Sequence, residues 1–109
     1  MRTVREIILQ RRKQMAVHSC LYYMMDESLV SDDQWQRWAD ELEALQKAHP
    51  ECMKIGFMDS EFYDWTGATG AHLNHRHPWT YAKAQRVLEY HQNVAKKQQS
   101  VVSEQQTSK

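Results

Sequence analysis

Ser31-Asp32-Asp33-Gln34-Trp35-Gln36-Arg37-Trp38-Ala39-Asp40-Glu41-Leu42-Glu43-Ala44-Leu45-Gln46-Lys47-Ala48-His49-Pro50 is the stretch on which the fold turns. Ser31 and Gln34 form an S-x-x-Q capping box, in which side chains satisfy the first free N–H groups of a helix. Asp32 and Asp33 fall in its first turn, where the helix dipole favours negative charge. Trp35, Trp38, Ala39, Leu42 and Leu45 recur at helical spacing and make one apolar stripe. The pattern stops at His49-Pro50, because a residue before proline avoids the helical region. A helix over about 32–48 is expected.

Towards the N-terminus, Thr3 and Glu6 repeat the signature as T-x-x-E. Val4, Ile8, Met15, Leu21, Tyr22 and Met25 then recur with helical periodicity, which predicts a helix over about 4–25. Its middle, Arg11-Arg12-Lys13-Gln14, is polar, so the early turns are expected to project beyond the core. The six residues Asp26 to Ser31 leave only a short connector, which makes the two helices an antiparallel hairpin.

Beyond Pro50 the pattern changes. Met53, Ile55, Phe57, Met58, Phe62, Tyr63 and Trp65 have no clean period, and all three glycines lie between residues 56 and 70. We expect a long irregular aromatic loop over 53–77, with one helical turn near Ser60-Glu61-Phe62-Tyr63. Its aromatics would pack over the hairpin, since long apolar loops tend to cover a core or carry function. Pro78 suits the first position of a third helix. Trp79, Tyr81, Ala84, Leu88, His91 and Ala95 would give that helix its face, to about residue 97. Gln98 to Lys109 is polar and reads as a disordered tail. The expected class is all-α: a hairpin and a third helix in one domain over 1–97, followed by a tail over 98–109.

Bulk properties narrow the function classes. A chain of 109 residues suits one domain, which buries roughly two-thirds of its unfolded surface. No run of about 18 apolar residues is present, so no membrane span is expected. The arginine-bearing N-terminus has no apolar stretch behind it and does not read as a secretory signal. Cys20 and Cys52 are far apart and fit reduced thiols in a cytoplasm. The net charge is zero, but residues 1–25 carry +4, residues 26–64 carry −8 and residues 65–109 carry +4. Direct nucleic-acid binding needs a basic surplus, which is missing. The acidic middle either packs against the basic ends or docks on a basic partner.

Three blocks carry a family resemblance: Leu21-Tyr22-Tyr23-Met24-Met25-Asp26, Val30-Ser31-Asp32, and Glu41-Leu42-Glu43-Ala44-Leu45 with His49-Pro50-Glu51. Together, over about residues 15–51, they resemble the N-terminal subdomain, domain Ia, of bacterial NAD-dependent DNA ligases. In that family the subdomain is a helical hairpin that holds the nicotinamide mononucleotide (NMN) half of NAD. The resemblance implies that Tyr22 and Trp35 flank the nicotinamide ring. It also implies that Tyr23 stands where the family often has histidine, and that Asp32 is the acidic residue bonding the nucleotide. Trp35 replaces the family's usual tyrosine and Gln36 its usual aspartate. Tryptophan stacks well on a cationic ring. Glutamine hydrogen-bonds but brings no charge. The K-x-D-G motif of the nucleotidyl-transfer lysine is missing, so this chain alone is not expected to join DNA. Stand-alone pieces of this kind are similar to small ligase-related bacteriophage proteins, which implies the host cytoplasm as their place.

Without the family, the same residues describe two aromatics on facing helices beside carboxylates at a helix N-terminus. Such an arrangement suits a flat cation, although a stripe of this kind also serves plain core packing. The resemblance implies NMN or NAD as the ligand, bound without catalysis by Tyr22, Tyr23, Asp32, Trp35 and Gln36. The alternative is an interaction protein that docks on a host protein through its acidic middle and the Trp65 loop. A weaker alternative is a metal site at His72, His75 and His77. Their H-x-x-H-x-H spacing is not a standard zinc pattern, and Arg76 between two of them opposes a cation, so no metal is expected. The plainer expectation is that His77 caps the third helix.

Overall fold

The computed structural model describes residues 2–107, with the side chains of residues 2–95. Among these the fold is all-α. It comprises α1 (Val4–Met25), α2 (Asp32–Ala48), a 3₁₀ turn (Pro50–Cys52), α3 (Asp59–Phe62) and α4 (Pro78–Thr107). The expected tail over 98–109 falls on residues outside those whose side chains are described. No described helix is long and apolar enough to cross a membrane.

Both hairpin helices begin on the expected caps. The Thr3 hydroxyl accepts the Glu6 N–H at 3.2 Å, and the Ser31 hydroxyl accepts the Gln34 N–H at 3.1 Å. α1 stops at Asp26, which adopts the left-handed conformation at φ 52° and donates its N–H to Leu21 O. That cap turns the chain into the connector. α2 ends at His49, and Pro50 opens the 3₁₀ turn as the first residue unable to continue the helix.

α1 packs on α2 along one flank and on α4 along another. Two apolar clusters result. The larger joins Ile8, Met15 and Ala16 of α1 to Ala39 and Leu42 of α2, under Phe57, Met58, Phe62, Trp65 and Leu73 of the long loop. The smaller joins Val17, Cys20 and Leu21 to Ala84, with Met25, Leu29, Val87 and Leu88 around it. Burying a side chain such as Phe62 or Leu42 contributes about 1.5–3 kcal/mol each. The loop aromatics therefore form the roof of the hairpin.

Two expectations need correction. The early turns of α1 do not project beyond the core: Ile8 and Arg12 are both fully buried. Arg12 lies over the Phe62 ring at 5.5 Å and is held by groups distant in sequence. Its Nε donates to Gln46 Oε1 at 2.8 Å, its Nη1 to Asp59 Oδ1 at 2.7 Å and Phe57 O at 3.1 Å, and its Nη2 to Met53 O at 2.9 Å. Gln46 passes the linkage on, donating from Nε2 to Phe62 O at 2.8 Å. The buried side of α4 keeps Ala84 and Leu88 of the expected face but not its rings or its last turn. Thr80 and Ala84 are buried and Val87 and Leu88 half-buried, whereas Trp79, Tyr81, His91 and Ala95 are exposed. Trp79 instead meets the Phe57 ring edge-on at 5.3 Å and lies under the Lys13 ammonium at 4.9 Å. Packing room beside α1 favoured small residues over the more hydrophobic rings.

Arg12 is thus a buried cation with its donors filled. Burial lowers its pKa, although the Asp59 hydrogen bond and charge oppose that, and a guanidinium remains charged at neutral pH. Burial pushes the Asp59 carboxyl up. Hydrogen bonds from Arg12, Ile55 N–H and Gly56 N–H, with the Arg12 charge, outweigh that and hold it below the usual carboxylate range. Arg12→Met should lower unfolding stability by about 3 kcal/mol in urea titrations, because two carbonyls, Gln46 and Asp59 all lose their donor. A depressed carboxylate stabilises the fold above its unfolded pKa of about 3.9 and loses that contribution as pH falls below it. Asp59→Asn should therefore flatten the stability loss of the wild-type chain between about pH 5 and pH 3.

Candidate functional site

The capped end of α1, the connector and the first turn of α2 enclose a cleft of about 230 Å³. α1 contributes His18, Ser19, Tyr22 and Tyr23, the connector Ser28, Leu29 and Val30, and α2 contributes Asp32, Trp35 and Gln36. Ala68 and Thr69, from the loop after α3, supply a third wall. All five residues singled out in the sequence, Tyr22, Tyr23, Asp32, Trp35 and Gln36, line this one cleft. The reason is local: Tyr22 and Tyr23 end α1, Asp32 to Gln36 begin α2, and the short connector brings those ends together.

The aromatic walls differ in character. Tyr22 is 57 % exposed, and its ring meets Tyr23 edge-on at 4.9 Å. Trp35 is half-buried and tilted against the Trp65 indole at 6.2 Å. Asp32 is exposed at the start of α2, and among the described residues no Lys or Arg lines the cleft. Its field suits a cationic or neutral aromatic ring.

Two candidate polar groups already have partners within the fold. The Gln36 Nε2 donates to Asp40 Oδ1 at 2.8 Å and to Gly67 O at 3.0 Å. Its carboxamide oxygen has no such engagement. Tyr23 shares a hydrogen bond with Thr69 Oγ1 at 3.0 Å and stacks on His75 at 5.3 Å. Both residues therefore tie the loop to the hairpin as well as lining the cleft.

Trp65 anchors that loop from beneath. It is 4 % exposed, and its Nε1 donates to Ala39 O at 3.0 Å. Trp65 is thus a core residue, as expected of loop aromatics packed over the hairpin, and is not itself exposed as an anchor for the alternative docking reading. Gly67 sits at φ +76° with the Ala39 carbonyl 3.3 Å from where a Cβ would stand, so the loop crosses α2 backbone against backbone.

The histidines of the loop do not converge. His72 is exposed and paired with Glu61 O at 3.1 Å, and His75 stacks on Tyr23. The Nδ1 of His77 accepts the Thr80 N–H at 3.4 Å, which makes it the cap of α4. Among the described residues no group of three His, Cys, Asp or Glu side chains is placed to hold a metal ion.

Sequence reasoning missed His18, Ser19 and Thr69. His18 and Ser19 stand four and three residues before Tyr22, on the same helix face, and that spacing was a usable signal. Thr69 carried no local signal. It reaches the cleft only because Trp65 and Gly67 dock the loop on α2.

An all-α hairpin with an aromatic cleft between its helix ends is the class of fold and site formed by the described residues. Within that class, residues 1–56 match the DNA ligase-like, N-terminal NAD+-binding domain, just over half of the 109-residue chain, and the protein belongs to this family. The match takes in α1, α2 and ten of the cleft's lining residues, while Ala68 and Thr69 lie beyond it. No curated protein and no solved structure matches the chain.

At Gly70 a Cβ would stand 2.1 Å from Ser19 Oγ, 2.9 Å from Ser19 Cβ and 3.5 Å from the Trp35 ring. The hydroxyl can rotate but the Ser19 Cβ cannot. Gly70→Ala should cost about 1–3 kcal/mol in chemical denaturation and push the loop away from the cleft. Burial lowers the pKa of His18 and of His75, so the fold disfavours the charged form of both rings. The unfolded chain takes up those protons near pH 6.5, so stability should be lost as pH falls through that value. A lower melting temperature at pH 5.5 than at pH 7.5 is the expected result.

Proposed function

We propose that this chain is a non-catalytic module that binds the nicotinamide half of NMN or NAD in the cleft between α1 and α2. One observation carries the reading: the five residues named by the family resemblance all line a single cleft within the matched region. In this reading Tyr22 and Trp35 stack on the ring. Asp32 offsets the positive charge of the pyridinium, and Tyr23 and the free carboxamide oxygen of Gln36 accept hydrogen bonds from the nucleotide. At about 230 Å³ the cleft is smaller than the ~300–1,000 Å³ typical of ligand pockets, so it suits one ring and its ribose better than a whole dinucleotide. The module acts in the cytoplasm, that of the host if the protein is phage-encoded.

A second reading is docking on a host protein through the acidic middle. With Trp65 buried, the loop aromatic available for it is Tyr63, which is 77 % exposed beside Asp64.

Calorimetric titration with NMN, NAD and AMP tests the first reading. NMN and NAD should bind saturably and AMP should not. Trp35 also packs against the core, so Tyr22→Ala is the cleaner variant. It should weaken NMN binding more than tenfold with little change in melting temperature. Silence up to millimolar NMN would leave the docking reading in its place.

A further inference from the structure

The α1 wall of the cleft holds two polar atoms that no protein atom among the described residues satisfies. Ser19 is 1 % exposed and its Oγ has no hydrogen-bond partner. The His18 Nδ1 is likewise buried and unpartnered. Both residues line the cleft. Among the described residues both ring nitrogens of His75 are also buried and unpartnered, but His75 lies outside the cleft lining, whereas the buried Arg12 and Gln46 are paired within the fold. A buried hydroxyl or ring nitrogen without a partner is destabilising, so two of them side by side on a cleft wall point to a ligand as the missing partner.

The chemistry of the pair is specific. A hydroxyl both donates and accepts, and a neutral imidazole nitrogen does one or the other according to tautomer. Burial disfavours the charged form of the His18 ring. A primary carboxamide presents a carbonyl acceptor and N–H donors, which such a wall can satisfy together. A carboxylate in the same place offers acceptors only, meets the negative field of Asp32 and finds no Lys or Arg among the lining residues. Gly70 fixes the arrangement, because any side chain there would collide with Ser19.

We infer that Ser19 and His18 are the specificity-determining residues of the cleft, selecting an aromatic ring that carries a neutral carboxamide over the same ring carrying a carboxylate. This rests on the nicotinamide reading above. It adds two residues and a discrimination that reading does not contain.

The test titrates the full chain with nicotinamide mononucleotide and with nicotinic acid mononucleotide, which differ only in that substituent. The amide form should bind more than tenfold more tightly. In Ser19→Ala the affinity for the amide form should fall at least fivefold, with that for the acid form unchanged. The melting temperature of the variant should hold or rise, since an unpartnered buried hydroxyl is gone. Equal affinity of the wild-type chain for the two forms, or full retention of the preference by Ser19→Ala, overturns the inference and leaves the nicotinamide reading standing. No binding of either form removes that reading and the inference with it.

Discussion

A single guanidinium, that of Arg12, ties the hairpin to everything that covers it. Its donors reach Gln46 of α2, the carbonyls of Met53 and Phe57, and the carboxylate of Asp59 at the head of α3. Without it the residues after the 3₁₀ turn would have apolar side chains to bury but little to set their path. Hydrophobic burial is non-directional, whereas a planar fork of donors is not. The fork sets the course of residues 53–59. Phe57, Met58 and Phe62 then fall on the α1–α2 seam, and Trp65 follows to bond Ala39. The cleft wall at Ala68 and Thr69 is the far end of that chain of consequences.

The hairpin was legible because its signals are local. Two capping boxes, a proline stop and an apolar stripe lie within a few residues of the structure they specify, and α1 and α2 begin and end where those signals stand. Arg12 was not legible for the opposite reason. A cation in a polar run reads as solvated, and the groups that make burial tolerable lie 34 to 47 residues away. On α4 the spacing found Ala84 and Leu88 but did not show which neighbouring residues turn away from α1. Thr80 and Ala84 fit the narrow space beside α1, while Trp79 and Tyr81 stay at its edge.

The candidate site divides in the same way. Its aromatic and acidic residues come from the two hairpin ends, and their convergence follows from connector length. The engagement of Gln36 with Gly67 and of Tyr23 with Thr69 depends on a loop with no periodic pattern. Family membership bears on the first part of the site alone, since the matched region ends at residue 56. The third wall is a feature of this chain's own residues.

Tyr23 and Gln36 each belong to two structures, a binding surface and the fastening of a loop. Any occupant that draws on the Tyr23 hydroxyl competes with Thr69, and one that reorients Gln36 disturbs its hold on Gly67. The filling of the cleft and the seating of the loop are thereby linked equilibria, and linkage is reciprocal. A change in the loop, even on its outer surface, alters cleft affinity by the same factor by which an occupant alters loop closure. Amide exchange across residues 66–70 thus becomes a gauge of occupancy, readable at backbone groups that never touch the ligand.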